Sequence, residues 1–148
     1  MNSTALEYAQ RLIAYESVTP ANGAVFDVLE AMVLPLGFTV ERFIAGADDP
    51  DPAHGGPVEI LFAIRGKAGR HFAFAGHVDV VPPGEGWGSD PFVPEIRGDL
   101  LYGRGAVDMK GSIAAFIAAV EKIPDDAGII RLIITGDEEG PAIHGTRA

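Results

Sequence analysis

The sequence contains no cysteine. Disulfides are therefore excluded, and any zinc site has to be built from His, Asp and Glu. Basic residues are scarce, with 11 Lys and Arg against 21 Asp and Glu and a net charge of −10. Nucleic acid and anionic membrane surfaces both select for basic patches, so neither is the expected partner. A small anionic substrate stays open, because a local basic pocket can sit on an acidic protein. Long apolar runs are missing too. The longest, Ile113 to Val120, falls far short of the roughly 20 residues that a membrane helix needs. The N-terminal stretch has no basic segment followed by an apolar run, so no secretory signal is expected. Together with the missing cysteines, this fits a cytoplasmic protein. What is present is ordinary for a globular domain: 148 residues, 47% apolar and 22% charged, enough for one real core.

Hydrophobic periodicity predicts strands alternating with helices, hence an α/β fold with a mostly parallel or mixed sheet. Thr4 and Glu7 have the spacing of a capping box, opening an amphipathic helix over 5–16. A second helix is expected over 24–35, with Gly37 just beyond it and Pro35 blurring its end. Strands are expected at 38–44, 58–64, 71–75 and 129–135, with a hairpin pairing 93–96 and 100–102 across Arg97-Gly98-Asp99. Residues 45–57 and 82–91 are rich in Gly, Pro and Asp and read as loops. A strongly apolar helix is expected over 112–123, closed by Pro124.

Three clusters carry potential chemistry, each after a strand or before a helix, where α/β folds place ligands. In Gly76-His77-Val78-Asp79, His77 and Asp79 are two apart, which on an extended chain puts both on one face. A metal-bound imidazole needs a partner to fix its ring, and a carboxylate serves; a plain surface ion pair also fits. In Gly103-Arg104-Gly105-Ala106-Val107-Asp108-Met109-Lys110-Gly111, Asp108 suits a ligand or a helix N-cap. The glycines suit tight turns, but the pattern is neither a P-loop nor a dinucleotide fingerprint. In Thr135-Gly136-Asp137-Glu138-Glu139-Gly140, three acids in a row repel one another unless solvated or offset by a cation. Adjacent Glu138 and Glu139 can divide the work, one as ligand and one as proton shuttle. One His with several carboxylates is a donor set for divalent-metal hydrolysis.

In order and spacing, GHVDVVPPG, the Trp87-to-Pro94 segment WGSDPFVP, LYGRGAVDMKG and DEEGPAIHGT resemble the dizinc aminoacylase and carboxypeptidase family. The resemblance runs from about Leu6 to Thr146. It implies a zinc-exopeptidase-like α/β/α sandwich with two Zn²⁺ per subunit, for which Co²⁺ is a possible substitute. His77 would bind one zinc, Glu139 the other, and Asp108 both. Asp79 would orient His77, and Glu138 would be the general base that later protonates the leaving amine. Around Gly140-Pro141-Ala142-Ile143 and Gly145-Thr146, and in the VPPG loop, the chain resembles the desuccinylase branch. That branch removes succinate from a succinylated diamino acid in lysine biosynthesis. An acetylornithine deacetylase or general aminoacylase is the same-family alternative, and a non-catalytic fragment is the alternative of another class. The resemblance also implies a further carboxylate ligand, a further histidine ligand and a lid domain for homodimerisation, all beyond Ala148. Nothing in the family pattern makes His54, His71 or His144 a ligand, and all three are expected as surface or loop residues.

Overall fold

The computed structural model describes residues 4–145. Helix α1 spans Ala5–Ile13 and α2 spans Ala24–Val33. The capping box is formed: the Thr4 amide donates to Glu7 Oε2 (2.6 Å), and the Glu7 amide donates to Thr4 Oγ1 (3.2 Å). The first helix is shorter than its periodicity suggests, ending before Tyr15 and Ser17, which turn inward to other tasks. The second gives way to a 3₁₀ turn at Leu34–Leu36, because Pro35 has no amide to continue the ladder. Gly37 then reverses the chain at φ 84°.

Strands β1 (Thr39–Ala45), β2 (Val58–Arg65) and β3 (His71–His77) follow, then a short hairpin of β4 (Glu95–Arg97) and β5 (Leu100–Tyr102). Helix α3 covers Gly111–Val120 and strand β6 covers Ile129–Thr135. The main sheet has the order β1-β2-β6-β3 and is mixed: β1–β2 and β2–β6 are antiparallel, while β3–β6 is parallel. Three expectations shift. Helix α3 ends at Val120, three residues short of the expected 123. The hairpin lies two residues later than Val93, and β3 runs on to include His77, because β3 pairs with β6 in register as far as His77 and Thr135.

Alternation along the strands sorts the two faces of the sheet. Leu61, Ala63, Ile130, Leu132 and Ile134 pack with Leu12, Phe26, Leu29, Ile113 and Ile117 from the three helices. Each such aliphatic or aromatic side chain, when fully buried, contributes about 1.5–3 kcal/mol. The opposite parity carries Phe43, Phe62, Ala75 and Ile133, which line an open cleft instead of a second helical layer. Among the described residues, helices therefore cover one face of the sheet only.

Buried polar groups lock the corners. Arg65 donates to the Val120 and Ile123 carbonyls (3.1 and 2.8 Å) and pairs with Asp125, satisfying the C-terminal end of α3. Glu59, almost fully buried, accepts from the Gly23 amide that opens α2 (2.6 Å) and from Arg42 Nε (2.7 Å).

Candidate metal and active site

The site forms at the C-terminal ends of β3 and β6, which the parallel pairing holds side by side. Beyond β3 the chain is stitched to the segment after α1. Thr19 donates to the Val80 carbonyl (3.0 Å), the Val80 amide donates to Ser17 (2.9 Å), and Ser17 Oγ donates to the Val78 carbonyl (2.8 Å). Beyond β6, the Gly136 carbonyl accepts from the Ala21 amide at 2.6 Å. A Cβ at Gly136 would lie 2.2 Å from the Ala21 carbonyl oxygen, so only glycine lets the two chains approach this closely.

His77 is buried at 5% exposure, and Asp79 is fully buried. His77 Nδ1 lies 3.0 Å from the Asp79 carbonyl oxygen and 3.4 Å from its Oδ1. Both are acceptors, so Nδ1 carries a proton and Nε2 is the ring atom left to bind a second proton or a metal. The partner that fixes the ring is thus the Asp79 backbone as well as its carboxylate. That carboxylate also reaches across the sheet: Oδ1 accepts from the Glu138 amide (3.2 Å) and Oδ2 from the Glu139 amide (2.9 Å). Burial raises the Asp79 carboxyl, but the His77 hydrogen bond and the two amides outweigh it and leave it below the usual carboxylate range.

His77 Nε2 faces Asp108 Oδ1 at 3.2 Å and Glu138 Oε2 at 3.6 Å. Asp108 is not an N-cap. Helix α3 begins at Gly111 without a side-chain cap, and Asp108 sits in the distorted turn Ala106–Lys110 with extended φ/ψ of −123° and 102°. That backbone turns its exposed carboxylate toward His77. Donor atoms of His77, Asp108 and Glu139 all lie within 4.8 Å of one another. Glu139 is pushed up, first by burial, then by Asp108, Glu138 and Asp79, with His77 opposing. Burial lowers the His77 imidazole, yet the Asp79 hydrogen bonds and the charges of Asp79 and Glu138 prevail and hold it at about 9. Three carboxylates gathered around Nε2 are an arrangement that a cation there, a proton or a metal, stabilises. The donor set and its convergence fit a divalent metal ion.

All five residues singled out from the sequence therefore meet in one place. Two neighbours inside the same clusters were not singled out as site residues. Lys110 is fully buried, its Nζ donates to the Tyr15 carbonyl (2.9 Å), and burial lowers its ammonium to about 8. Asp137 is fully buried behind the two glutamates, its carboxyl raised first by burial and then by Asp79. The site opens on a cleft of about 620 Å³ along the bare sheet face, lined by His77, Met109, Thr135 and Glu138 beside Phe62 and Ile133. His54, His71 and His144 are not among the residues that line it.

The model for peptidase family M20/M25/M40 matches residues 73–148, a stretch that includes His77, Asp79, Asp108, Glu138 and Glu139, and the chain belongs to that family. Within it, the succinyl-diaminopimelate desuccinylase of Sphingopyxis alaskensis is 69% identical over 148 residues, covering 99% of this chain and 38% of that protein. The enzyme of the same name from Erythrobacter litoralis is 66% identical, over 99% of this chain and 39% of its own length. The chain thus spans about 38% of the length of the curated relatives it matches. Among solved structures, human carnosine dipeptidase 1 superposes with a TM-score of 0.78 at 27% identity, over 95% of this chain and 33% of the other. The dipeptidase Dug1p of Saccharomyces cerevisiae gives 0.73 at 18% identity, over 91% and 32%, a likeness of fold alone.

Proposed function

We propose that this chain is the N-terminal part of the catalytic domain of a succinyl-diaminopimelate desuccinylase. The reaction is hydrolysis of the amide of N-succinyl-LL-2,6-diaminopimelate to succinate and LL-2,6-diaminopimelate, a step toward diaminopimelate and lysine. The observation that carries the reading is the convergence of His77, Asp108 and Glu139 with Glu138 alongside. The 69% identity to a desuccinylase supports the choice within the family.

His77 and Glu139 would each hold one of two zinc ions and Asp108 both, with Co²⁺ as a possible substitute. Zinc in such a site polarises an amide carbonyl and makes water acidic enough to attack. Glu138, whose side chain is about half exposed beside His77, would take the proton from that water and deliver it to the leaving amine. Asp79 fixes the His77 tautomer and, through its two amide contacts, the spacing of both glutamates from His77. The remaining ligands, a carboxylate and a histidine, belong to later parts of the longer protein, together with a lid domain used for homodimerisation. Among the described residues no helix is long and apolar enough to cross a membrane, and a cytoplasmic enzyme is the reading adopted.

The test uses the intact protein loaded with zinc. Turnover of N-succinyl-LL-2,6-diaminopimelate well above that of N-acetylornithine is expected. Glu138→Gln should lower it by about a hundredfold or more while leaving the zinc content unchanged. Faster turnover of N-acetylornithine would assign a deacetylase instead, and no turnover of any acylated amino acid would refute amide hydrolysis. The 148-residue chain alone is expected to be inactive and to bind zinc only weakly at the Asp108 group; robust turnover by it would overturn the proposed ligand shortfall.

A further inference from the structure

A second cluster of metal-ligating side chains lies outside this site and shares no residue with it. It joins the loop before β2 to the segment after Glu139. Asp49 Oδ2 lies 2.7 Å from His54 Nδ1 and 3.0 Å from His144 Nε2, so two imidazoles converge on a single carboxylate oxygen. The three donor atoms all lie within 4.8 Å of one another. The other oxygen, Asp49 Oδ1, accepts from the Asp51 amide at 2.9 Å, which leaves Oδ2 aimed at the rings. His54 is carried on a 3₁₀ turn, Pro52–His54, whose N-cap Asp51 accepts from the Ala53 amide. The rings stand edge to face at 72° with centroids 6.1 Å apart, so neither blocks the point between them.

His144 Nε2 is the informative atom. It is shielded from solvent and, although 3.0 Å from Asp49 Oδ2, it has no hydrogen-bond partner. A solvent-shielded ring nitrogen that close to a carboxylate oxygen, yet out of hydrogen-bond alignment with it, is a polar group without a partner, which a bound cation would supply. The surroundings also hold the ring in place: a Cβ at Gly46 would lie 2.4 Å from the His144 ring, and Gly46 adopts φ 73°. Two imidazole nitrogens and one carboxylate oxygen suit a borderline divalent ion such as zinc, cobalt or nickel, and disfavour calcium or magnesium, which select oxygen donors. Donors around such an ion sit about 2 Å from it, so the present separations require only small side-chain adjustments.

We infer that Asp49, His54 and His144 form a second divalent-metal site, separate from the catalytic one, that clips the 46–57 loop to the chain following the Glu138-Glu139 pair. Its role is structural: three protein ligands tie two segments together, and no group with a catalytic task points into it.

The test separates the two sites in the 148-residue chain by removing the other one. Zinc titration of the Asp108→Ala variant by calorimetry is expected to show one ion per chain, with a rise in thermal midpoint on saturation. Adding His54→Gln and His144→Asn should remove that ion, and either change alone should weaken it by about tenfold or more. Circular dichroism of each variant without metal establishes that the fold is kept, and Asp49→Asn provides an independent disruption that spares both histidines. Zinc binding that survives loss of both histidines, or an Asp108→Ala chain that takes up no zinc, would overturn the inference.

Discussion

Replacing Asp79 by Asn isolates what one buried carboxylate does for the site. The side chain is fully buried and serves three groups: the Glu138 amide at 3.2 Å, the Glu139 amide at 2.9 Å and the His77 ring at 3.4 Å. Asn keeps nearly the same shape but has one acceptor oxygen where Asp has two. Its NH₂ group would then face one backbone N–H, donor against donor. An unsatisfied buried donor costs about 1–3 kcal/mol, and exchanging the surviving charge-assisted bond for a neutral one costs about 1 kcal/mol more. The expected loss in folding stability is therefore on the order of 2–4 kcal/mol, read by urea denaturation at neutral pH. Because the two amides belong to the glutamates themselves, zinc affinity at the His77 group should also fall, by about 10–100-fold. A variant with wild-type stability and unchanged zinc affinity would refute the assignment of Asp79 as the strut between β3 and the glutamate loop.

Proton and metal compete for His77 Nε2. With the imidazole held at about 9, zinc affinity at that group should climb roughly tenfold per pH unit from pH 7 toward 9, measured with His54 and His144 replaced. Affinity already level above about pH 6.5, where an ordinary histidine has lost its proton, would contradict it. The same shift acts on metal-free stability. The folded pKa lies above the ordinary histidine value of about 6.5, so the contribution is full below pH 6.5 and is lost as pH rises through about 9. Urea midpoints across that range read it. Gly136→Ala should cost about 1–3 kcal/mol through its clash with the Ala21 carbonyl, whereas Gly88→Ala, which meets nothing within 4 Å and has no positive φ, should cost less; equal effects would refute the packing account.

Much of this was legible in the sequence because the relevant signals are local. The Thr4–Glu7 capping box, the glycine after α2 and the apolar runs of β2, α3 and β6 each act within a few residues, and each formed the expected element. The residues that meet at the candidate site were legible for the same reason: His77 with Asp79, Asp108, and Glu138 with Glu139 sit at strand or helix ends. What could not be read were contacts between distant segments. Asp79 meets the amides of residues about 60 positions away, and Lys110 meets Tyr15 across 95; no pattern in either neighbourhood announces the other. The expectation that His54 and His144 are loop residues holds, but it did not reach their meeting with Asp49. Both lie in loops, but their convergence on Asp49 depends on how those loops dock.

The parity of β3 has a consequence for which changes in length the chain can tolerate. Phe74 faces the helices while Ala75 and His77 face the cleft, and β3 is paired with β6 along its whole length. Inserting or deleting one residue within β3 would exchange the two faces, turning the imidazole into the helical layer and an aromatic ring out toward the cleft. No single compensating substitution could restore both. A length change in the 82–91 loop moves no strand register, so tolerated insertions should fall there, whereas β3 should admit substitution but not a change in length.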